Sequence, residues 1–337
     1  MQNQSDANNT KKAEERGDID NCKFALISQN VRGLREKMKR NIIFEQMKEK
    51  ADIIFLQETH STPDQEERWK TESGCKTLFS HGSSNARGVM ILFSKSLDME
   101  IIESTTDEDG RYIIIKCIIQ GTKFLIYNIY APNNKTEHKI FLSNLKEKVC
   151  LDENNEFEYK IGAGDWNFTE VENDRTGGNY TVWKENVAIL EEINEKNDMI
   201  DIWRARNPET KRYTWRQRKP QIQSRIDRIY ISDTMQYNVF KTDIVPGLRS
   251  DHSAITLSIK SIPENKQAGA GYWKFNNSLI ENKEFSVDLK RYIENDIEKE
   301  SSVIESKQVK WEYIKYKIKT WSMKKSKEIA KKEEKMK

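Results

Sequence analysis

The chain has 337 residues, of which 36% are apolar, and its 57 basic and 54 acidic side chains leave a formal net charge of +3. Apolar residues concentrate in runs such as ADIIFLQE and KFLIYNIY, so the chain can bury a core in one large α/β or two-sheet domain with an appendage. The four scattered cysteines argue against a disulfide framework or zinc ribbon and favour a reducing, intracellular compartment, and no run is long enough to span a bilayer.

The first part of the chain alternates strand and helix patterns. Residues 1–21 are polar and are predicted to form a disordered leader. From Phe24, FALISQNV is typical of a buried strand, and a helix follows with apolar residues at helical spacing from Met38 to Met47. DIIFLQE is the next strand, and STPDQEERWK then opens as a helix with Thr62 as its N-cap and Pro63 at its first position.

Three strand patterns come next: RGVMILFS, RYIIIKCII and KFLIYNIY, whose short spacers predict an antiparallel meander. A helix over KTEHKIFLSNLKEKV, a strand ending in GAGDWN, a helix at about 184–197 and strands near 211–215, 224–231 and 253–259 complete residues 22–260. Strands and helices thus alternate twice, with extra antiparallel strands in each half. This pattern predicts a four-layer α/β/β/α sandwich, in which two packed mixed sheets are flanked by helices.

The C-terminal region has a different composition. Residues 261–272 contain Pro, Gly and polar residues without periodicity and are predicted to be a linker, whereas 273–337 are predicted to be a basic helical extension. Its long helix, from about 302 to 337, carries an apolar stripe that must pack on something: Trp311, Ile314, Ile318 and Trp321. Residues 306–337 hold twelve Lys against four Glu, and 211–228 form a second basic stretch. Each is either a solvated charged face or a binding surface for a polyanion.

Polar side chains recur where strand patterns end. Taken singly, each has a structural explanation, for example as a turn former, a cap or a partner of a nearby arginine. Taken together, they place carboxylates, amides, a tyrosine and a histidine at one structural position: Asn30, Glu58, Tyr130, Asp165, Asn167, Asp227, Asp251 and His252. Loops at one edge of a rigid sheet are where catalytic groups usually lie.

This set supplies the parts of metal-assisted phosphodiester cleavage. Glu58 offers the hard oxygen ligand that Mg²⁺ prefers. Asp165 could accept the proton of an attacking water, with Asn167 holding either of them in place. His252 could stabilise the phosphate while Asp227 fixes the tautomer of its ring.

The order QNVRGL, LQETH, NIYAPN, GDWN, SRIDRIY and SDHSAI resembles the endonuclease/exonuclease/phosphatase superfamily. The resemblance covers residues 24–259 and is greatest to the apurinic-type endonuclease domain of LINE-type (non-LTR) retrotransposons. It implies Mg²⁺, or Mn²⁺, as cofactor and DNA as partner. GYWKFNNSLIEN also resembles the segment that follows the endonuclease in such polyproteins, which implies that 273–337 begin a region leading to a reverse transcriptase absent from this chain.

Residue by residue, the resemblance assigns metal binding to Asn30, Glu58 and Asp251. It places Tyr130, Asp165 and Asn167 around the phosphate and the nucleophile, and it matches the His–Asp pair to Asp227 and His252. The set predicted to bind DNA is Arg32, Arg175, Thr214, Trp215, Ser224 and Arg225. One departure is Arg32, because repair enzymes of this kind usually have an acidic residue there; a cation beside the metal site disfavours a repair enzyme or a second metal and fits the retrotransposon branch.

The basic stretch 211–228 interleaves Tyr213 and Trp215 with cations, which suits phosphates and unstacked bases, and no lipid-facing apolar loop is visible. The sequence therefore favours a DNA endonuclease, and the resemblance implies a nick with a 3′-hydroxyl for target-primed reverse transcription, in the nucleus. Two alternatives stay open: a phosphatase or phosphodiesterase acting on a small or lipid phosphate, and a nucleic-acid-binding module with a decayed site.

Overall fold

The computed structural model describes residues 24–151, 156–178, 181–260, 278–301 and 307–335. The described residues form two compact units, one within 24–260 and one within 278–335. The predicted leader and linker lie outside the described residues. Among the helices that are described, none is both long and apolar enough to cross a membrane.

The first unit contains fifteen described strands: β1 (Phe24–Asn30), β2 (Ile53–Gln57), β3 (Lys76–Ser80), β4 (Val89–Phe93), β5 (Met99–Thr106), β6 (Tyr112–Ile119), β7 (Thr122–Tyr130), β8 (Tyr159–Asp165), β9 (Arg175–Thr176), β10 (Met199–Asp201), β11 (Trp215–Gln217), β12 (Ile222–Ser224), β13 (Asp227–Ser232), β14 (Val239–Val245) and β15 (Ala254–Ile259). Its described helices are α1 (Lys37–Lys48), α2 (Glu66–Ser73), α3 (Lys135–Val149), α4 (Lys184–Lys196) and α5 (Ile202–Arg206).

Most of these strands form two six-stranded mixed sheets. The first sheet has the order β14-β15-β1-β2-β4-β3, and the second has the order β10-β13-β8-β7-β6-β5. Within them β1 and β2 are parallel, as are β7 and β8, whereas β13 is antiparallel to β8 and β15 is antiparallel to β1. A small third sheet has the order β11-β12-β9.

Alternating side chains of the two large sheets build three apolar layers. The middle layer lies between the sheets and includes Leu26, Phe55 and Ile126. On the outer face of the first sheet, residues of α1 and α2 such as Phe44 and Trp69 are buried, and on the outer face of the second sheet residues of α3 and α4 are buried. Such burial follows from the period-2 and period-3.6 apolar patterns of strands and helices. The predicted four-layer α/β/β/α sandwich is confirmed.

Several local predictions are wrong. The strand RGVMILFS does not form a meander with the two that follow, because β4 pairs with β2 and β3 in the first sheet, whereas β5, β6 and β7 form the meander in the second. The pattern also missed β3, β5, β9, β10 and β14, and it placed one strand at 211–215 where β11 begins at Trp215. Met38 is exposed rather than buried, and Thr62 makes no side-chain cap; a single 3₁₀ turn precedes α2.

The second unit contains α6 (Ser278–Glu281), α7 (Lys283–Tyr292), a π-helical turn over 293–297, α8 (Glu298–Ser301) and α9 (Lys307–Lys335). The predicted apolar stripe of the long helix packs within this unit at Trp321, whose ring stacks on Tyr292 with centroids 5.4 Å apart and contacts Phe285. Trp311, at the other end of the stripe, is 59% exposed.

Candidate active site

One edge of the two large sheets collects the polar residues that the sequence singled out. Asn30, Tyr130 and Asp165 are the last residues of β1, β7 and β8, and Glu58 follows β2. β1 and β2 are parallel and end at one edge of the first sheet, as β7 and β8 do in the second. The hydrogen bond from Asn30 to Asp165 shows that these two edges adjoin.

Asp227 and His252 reach the same edge from the opposite direction. Asp227 is the first residue of β13 and lies opposite Asp165 in the antiparallel register, and His252 precedes β15. The description of Asp227 as the end of a strand pattern is therefore wrong, although the edge is the predicted one. Antiparallel neighbours bring their N-terminal residues to where parallel strands end.

His252 and Asp227 form a buried pair. His252 Nδ1 lies 2.9 Å from Asp227 Oδ2 and 3.2 Å from Oδ1, and the Asp227 side chain has no exposed surface. Burial lowers the pKa of His252, but the charge of Asp227 and its hydrogen bond raise it more, to about 10. The ring is therefore an imidazolium near neutral pH, with Nδ1–H donated to Asp227 and Nε2–H left to face a substrate.

Asp165 lies beside this pair and is 1% exposed. Burial raises the pKa of its carboxyl, and so does the negative charge of Asp227, whereas His252 and a hydrogen bond from Asn30 lower it; the result is about 7. A carboxyl group whose pKa lies near neutrality can accept a proton and release it again.

Asn30 joins the acidic residues of the two sheets. Its Nδ2 group donates 2.9 Å hydrogen bonds to Glu58 Oε1 and to Asp165 Oδ2, and its Oδ1 accepts the backbone N–H of Arg32 at 3.0 Å. Asn30 has no exposed surface. Because all three of its partners are fixed, the amide sets the separation between Glu58 and Asp165.

Tyr130 and Asn167 complete the edge. Burial raises the pKa of the Tyr130 hydroxyl above its usual value, and the charges of Glu58 and Asp165 raise it further, so the hydroxyl stays a neutral hydrogen-bond donor. Asn167 has a left-handed backbone (φ 53°); its N–H donates to Asp165 Oδ1 at 3.0 Å and its Nδ2 donates to the carbonyl of Ala131 at 2.8 Å. Strained backbone of this kind is common where side chains are held for function.

Among the described residues, Asp165, Asp227 and His252 form the group of three His, Cys, Asp or Glu side chains whose donor atoms lie within 4.8 Å of one another. These atoms fit a metal ion in number, but His252 Nδ1 and Asp227 Oδ2 are already hydrogen-bonded to each other at 2.9 Å. The set predicted from the sequence, Glu58, Asn30 and Asp251, offers only oxygen donors, which suits a hard cation better.

The predicted oxygen set is partly engaged within the protein. Asp251 Oδ2 forms an ion pair with Arg32 Nη1 at 2.9 Å, and Asn30 Oδ1 already accepts one hydrogen bond. Glu58 Oε2 lies 3.9 Å from His60 Nε2. Glu58 Oε1 accepts the hydrogen bond from Asn30. The metal assignment stays a prediction.

A cleft of about 290 Å³ opens in front of these residues. Glu58, Tyr130, Asn167, Asp251 and His252 line it. Of the residues predicted to bind DNA, the same cleft is lined by Arg32, Arg175, Trp215 and Ser224. Arg175 Nη1 donates to Ser224 Oγ at 3.0 Å, so β9 and β12 of the small sheet hold this wall together.

Comparison with known proteins identifies this arrangement. Residues 27–252 match the model of the endonuclease/exonuclease/phosphatase family, which is most of the described first unit. The chain belongs to the endonuclease/exonuclease/phosphatase family.

One family relative is a transposon protein. The chain is 32% identical over 240 residues to the transposon TX1 uncharacterized 149 kDa protein of Xenopus laevis, an alignment that covers 71% of this chain and 18% of that protein. The chain therefore spans about a fifth of the length of this curated relative.

Solved structures of the family share the fold. The AP endonuclease of Archaeoglobus fulgidus matches with a TM-score of 0.57 and 20% identity over 70% of this chain and 99% of that chain. The AP endonuclease LMAP of Leishmania major matches with a TM-score of 0.57 and 18% identity, over 71% and 88%. A Neisseria 3′ phosphatase, NExo, solved with a product DNA hairpin, matches with a TM-score of 0.58 and 18% identity, over 71% and 100%.

Two of the residues predicted to bind DNA are buried in the protein. Arg225 is 1% exposed: its Nη2 pairs with Asp174 at 2.7 Å and its Nη1 with Asp201 at 2.6 Å. Thr214 is also fully buried, and its Oγ1 accepts the backbone N–H groups of Ile226 and Asp227 at 3.1 Å each. Both residues hold the site in place from behind instead of facing a ligand.

Some residues beside the family site were missed from the sequence. A second cleft of about 340 Å³ adjoins the first and shares Arg32, Glu58, Tyr130 and Asn133 with it; Arg87 and Arg111 also line it. Both arginines stand just before strands, in ARGVM and DGRYI. That position at a strand mouth is the signal by which they could have been noticed.

Proposed function

We propose that this chain is a Mg²⁺-dependent DNA endonuclease, which cuts one strand of duplex DNA and leaves a 3′-hydroxyl. The observation that carries the proposal is the set Glu58, Asn30, Asp165, Asp227 and His252. Glu58 and His252 line a cleft whose walls carry Arg32 and Arg175. The other three residues are buried next to them: Asn30 is hydrogen-bonded to Glu58 and Asp165, and Asp227 is hydrogen-bonded to His252. A base near neutral pKa, an imidazolium and an acidic oxygen donor for a metal are the groups that phosphodiester hydrolysis needs.

Each side chain then has one task. Asp165 accepts a proton from a water admitted between Asn167 and His252, and Asn167 and Asn30 hold the carboxylate through their N–H groups. The water oxygen bonds to phosphorus as the P–O3′ bond breaks. The departing oxygen takes a proton from solvent, which yields a 3′-hydroxyl and a 5′-phosphate.

The charge that develops on the phosphate is met by fixed donors. His252 directs its Nε2–H into the cleft while Asp227 fixes the ring orientation, and Tyr130 offers a neutral hydroxyl. Glu58 would hold Mg²⁺, and the sequence motif adds Asn30 and Asp251 to the residues that would hold it. The chemistry that Mg²⁺ supplies when bound is positive charge on the non-bridging oxygens; Mn²⁺ offers the same oxygen preference.

DNA is the proposed substrate because the cleft is open and its walls are cationic and aromatic. Arg32 and Arg175 suit backbone phosphates, and Trp215 offers a face on which a base can stack. The A. fulgidus and L. major structures of similar fold are AP endonucleases, and NExo was solved with a DNA hairpin, which supports a nucleic-acid substrate for this chain.

We further propose a role in retrotransposition, in which the nick primes reverse transcription at its 3′-hydroxyl. The transposon TX1 relative supports this context, and the motif order adds to it. On this proposal the chain acts in the nucleus, on chromosomal DNA, and is normally continuous with a reverse transcriptase.

Nicking of supercoiled plasmid in Mg²⁺ tests the activity. Glu58→Gln and His252→Ala are each expected to slow nicking by about 10²–10⁴-fold, the range for loss of one acid–base or electrostatic group. Glu103→Gln is the matched control, since Glu103 is an exposed carboxylate on β5 that pairs with Lys116. Extension of the nick by a DNA polymerase without prior phosphatase treatment would establish the 3′-hydroxyl.

The same assay separates the two other functions. Release of inorganic phosphate from inositol phosphates without plasmid nicking would replace this proposal with a phosphatase. Duplex binding without cleavage in Mg²⁺ or Mn²⁺ would identify a binding module. Unchanged nicking by either site variant would overturn the assignment of these residues.

A further inference from the structure

The second cleft is formed where loops of the two sheets meet. Arg87 precedes β4 of the first sheet and Arg111 precedes β6 of the second. Their loops are joined by the hydrogen bond from Gly88 N to Gly110 O at 3.0 Å, and Arg87 has a left-handed backbone with φ 65°. The side chains of Arg87 and Arg111 thus line one cleft, although the strands that follow them belong to different sheets.

The two guanidinium groups differ in how firmly they are held. Arg111 Nη1 donates to the carbonyl of Tyr130 at 3.3 Å, and its guanidinium carbon lies 5.7 Å from the centre of the Tyr130 ring. Arg87 pairs with Asp109, and the two side chains are 40% and 71% exposed. An ion pair this exposed contributes little, so a phosphate can take the place of Asp109 at small cost.

The cleft carries an excess of positive charge. Arg32, Arg87 and Arg111 line it, against the single carboxylate of Glu58. Burial lowers the pKa of the Arg111 guanidinium and the charge of Arg87 lowers it further, whereas Tyr130, Asp109 and Asp107 raise it. Arg87 and Arg111 carry like charges in one cleft and repel each other. An anion between them would relieve this repulsion.

We propose that this arginine cleft, lined by Arg87 and Arg111, is a second phosphate-binding subsite that takes a backbone phosphate neighbouring the one that is cut. The proposal rests on the proposed function, because Glu58, Tyr130 and Asn133 form a wall common to both clefts. A DNA strand held at both points is fixed in register over the catalytic groups. Two fork-shaped guanidiniums suit a phosphate better than a carboxylate peptide, since a phosphate accepts from both sides at once.

Binding of duplex DNA in EDTA, where cleavage does not occur, tests the subsite. The probes are duplexes in which one phosphate at a time is replaced by a neutral methylphosphonate. Wild-type protein should lose about tenfold in affinity, equivalent to ~1.4 kcal/mol, at the phosphate that occupies the subsite. Arg87→Gln should lose about tenfold on natural DNA and show no further loss from the methylphosphonate at that one position.

Controls separate a local contact from a general loss of charge. Lys123→Gln is the matched control, since Lys123 is exposed at the β6–β7 turn, where β7 begins, away from its site-bearing end. For Arg87→Gln, the plot of log affinity against log salt concentration should be shallower by about 0.9, the value for one phosphate contact. Arg111→Gln should give the same positional pattern if it folds, but Arg87→Gln alone decides the question because its side chain is exposed.

The subsite is refuted if Arg87→Gln responds to every methylphosphonate as wild-type protein does, or if wild-type protein does not bind the duplex. Plasmid nicking by wild-type protein is measured in parallel. If wild-type protein nicks the plasmid but no methylphosphonate position distinguishes it from Arg87→Gln, the subsite is refuted and the proposed function stands. If one position does distinguish them but the plasmid is not nicked, the phosphate contact stands and the proposed function is refuted.

Discussion

Replacing Thr214 with valine removes one hydroxyl from behind the active site and changes the shape of the side chain little. Thr214 Oγ1 accepts the N–H groups of Ile226 and Asp227, both at 3.1 Å, and the residue has no exposed surface. Valine leaves two buried N–H groups without an acceptor, at about 1–3 kcal/mol each, so the free energy of unfolding should fall by ~2–6 kcal/mol. One of those N–H groups belongs to Asp227, the hydrogen-bond partner of His252, so the change also loosens the active site.

Thr214→Ser is the matched variant, because it keeps the oxygen and loses only a methyl group, worth about 1 kcal/mol. Urea unfolding of both variants measures the difference. Hydrogen exchange of the segment 222–232 shows whether the amides of Ile226 and Asp227 lose protection. Nicking should slow more in the valine variant than in the serine variant.

The alternative is that Thr214 contacts DNA, as the family motif implies. In that case valine would weaken duplex binding in EDTA and leave unfolding unchanged. Equal stability of the valine and serine variants would refute the structural role that we assign to the hydroxyl.

Three further predictions concern the surroundings of the site. Burial lowers the pKa of His138 to about 4 in the folded protein. In the unfolded chain its pKa is about 6.5, so the unfolded state takes up the proton first as the pH falls. The free energy of unfolding should therefore fall by ~3 kcal/mol between pH 6.5 and pH 4. The fall should be smaller in His138→Gln, measured by urea unfolding at several pH values. Arg225→Met leaves the buried Asp174 short of a partner and should cost about 3–5 kcal/mol in urea unfolding, while duplex affinity in EDTA stays at the wild-type value; a selective loss of affinity would contradict the buried role. In Gly164→Ala the new Cβ would lie 2.1 Å from the carbonyl oxygen of Ile129, so a loss of about 1–3 kcal/mol or more in urea unfolding is expected, and wild-type stability would show that this contact relaxes freely.

The layers of the fold were predictable because apolar spacing reports burial. The assignment of strands to sheets was not. Val89–Phe93 is buried throughout, and a strand that is buried on both faces carries no mark of which neighbours it pairs with. Met99–Thr106 was missed because it lies at the edge of its sheet and most of its residues are exposed, which leaves no apolar alternation to detect.

The active site, like the fold, could be predicted only in part from the sequence. The site residues were found from their order along the chain, because each lies beside an apolar run: Asn30, Glu58, Tyr130 and Asp165 end or follow a strand, whereas Asp227 and His252 begin or precede one. The burial of Arg225 could not be predicted, because its partner Asp174 lies 51 positions away in the sequence. A basic stretch gives no sign of which of its cations is buried. Arg87 and Arg111 were missed for a similar reason: they precede strands of different sheets, and only the packing of those sheets brings them into one cleft.

Asn30 and Asp165 belong to different sheets, as do His252 and Asp227, and hydrogen bonds join each pair across the junction. The active site is therefore complete only while the two large sheets pack against each other. Neither sheet alone carries a complete set of catalytic groups, so any partly unfolded state in which the sheets separate is inactive. A ligand that contacts both sheets binds only the docked state, so the melting temperature should rise with the logarithm of its concentration once that concentration exceeds Kd.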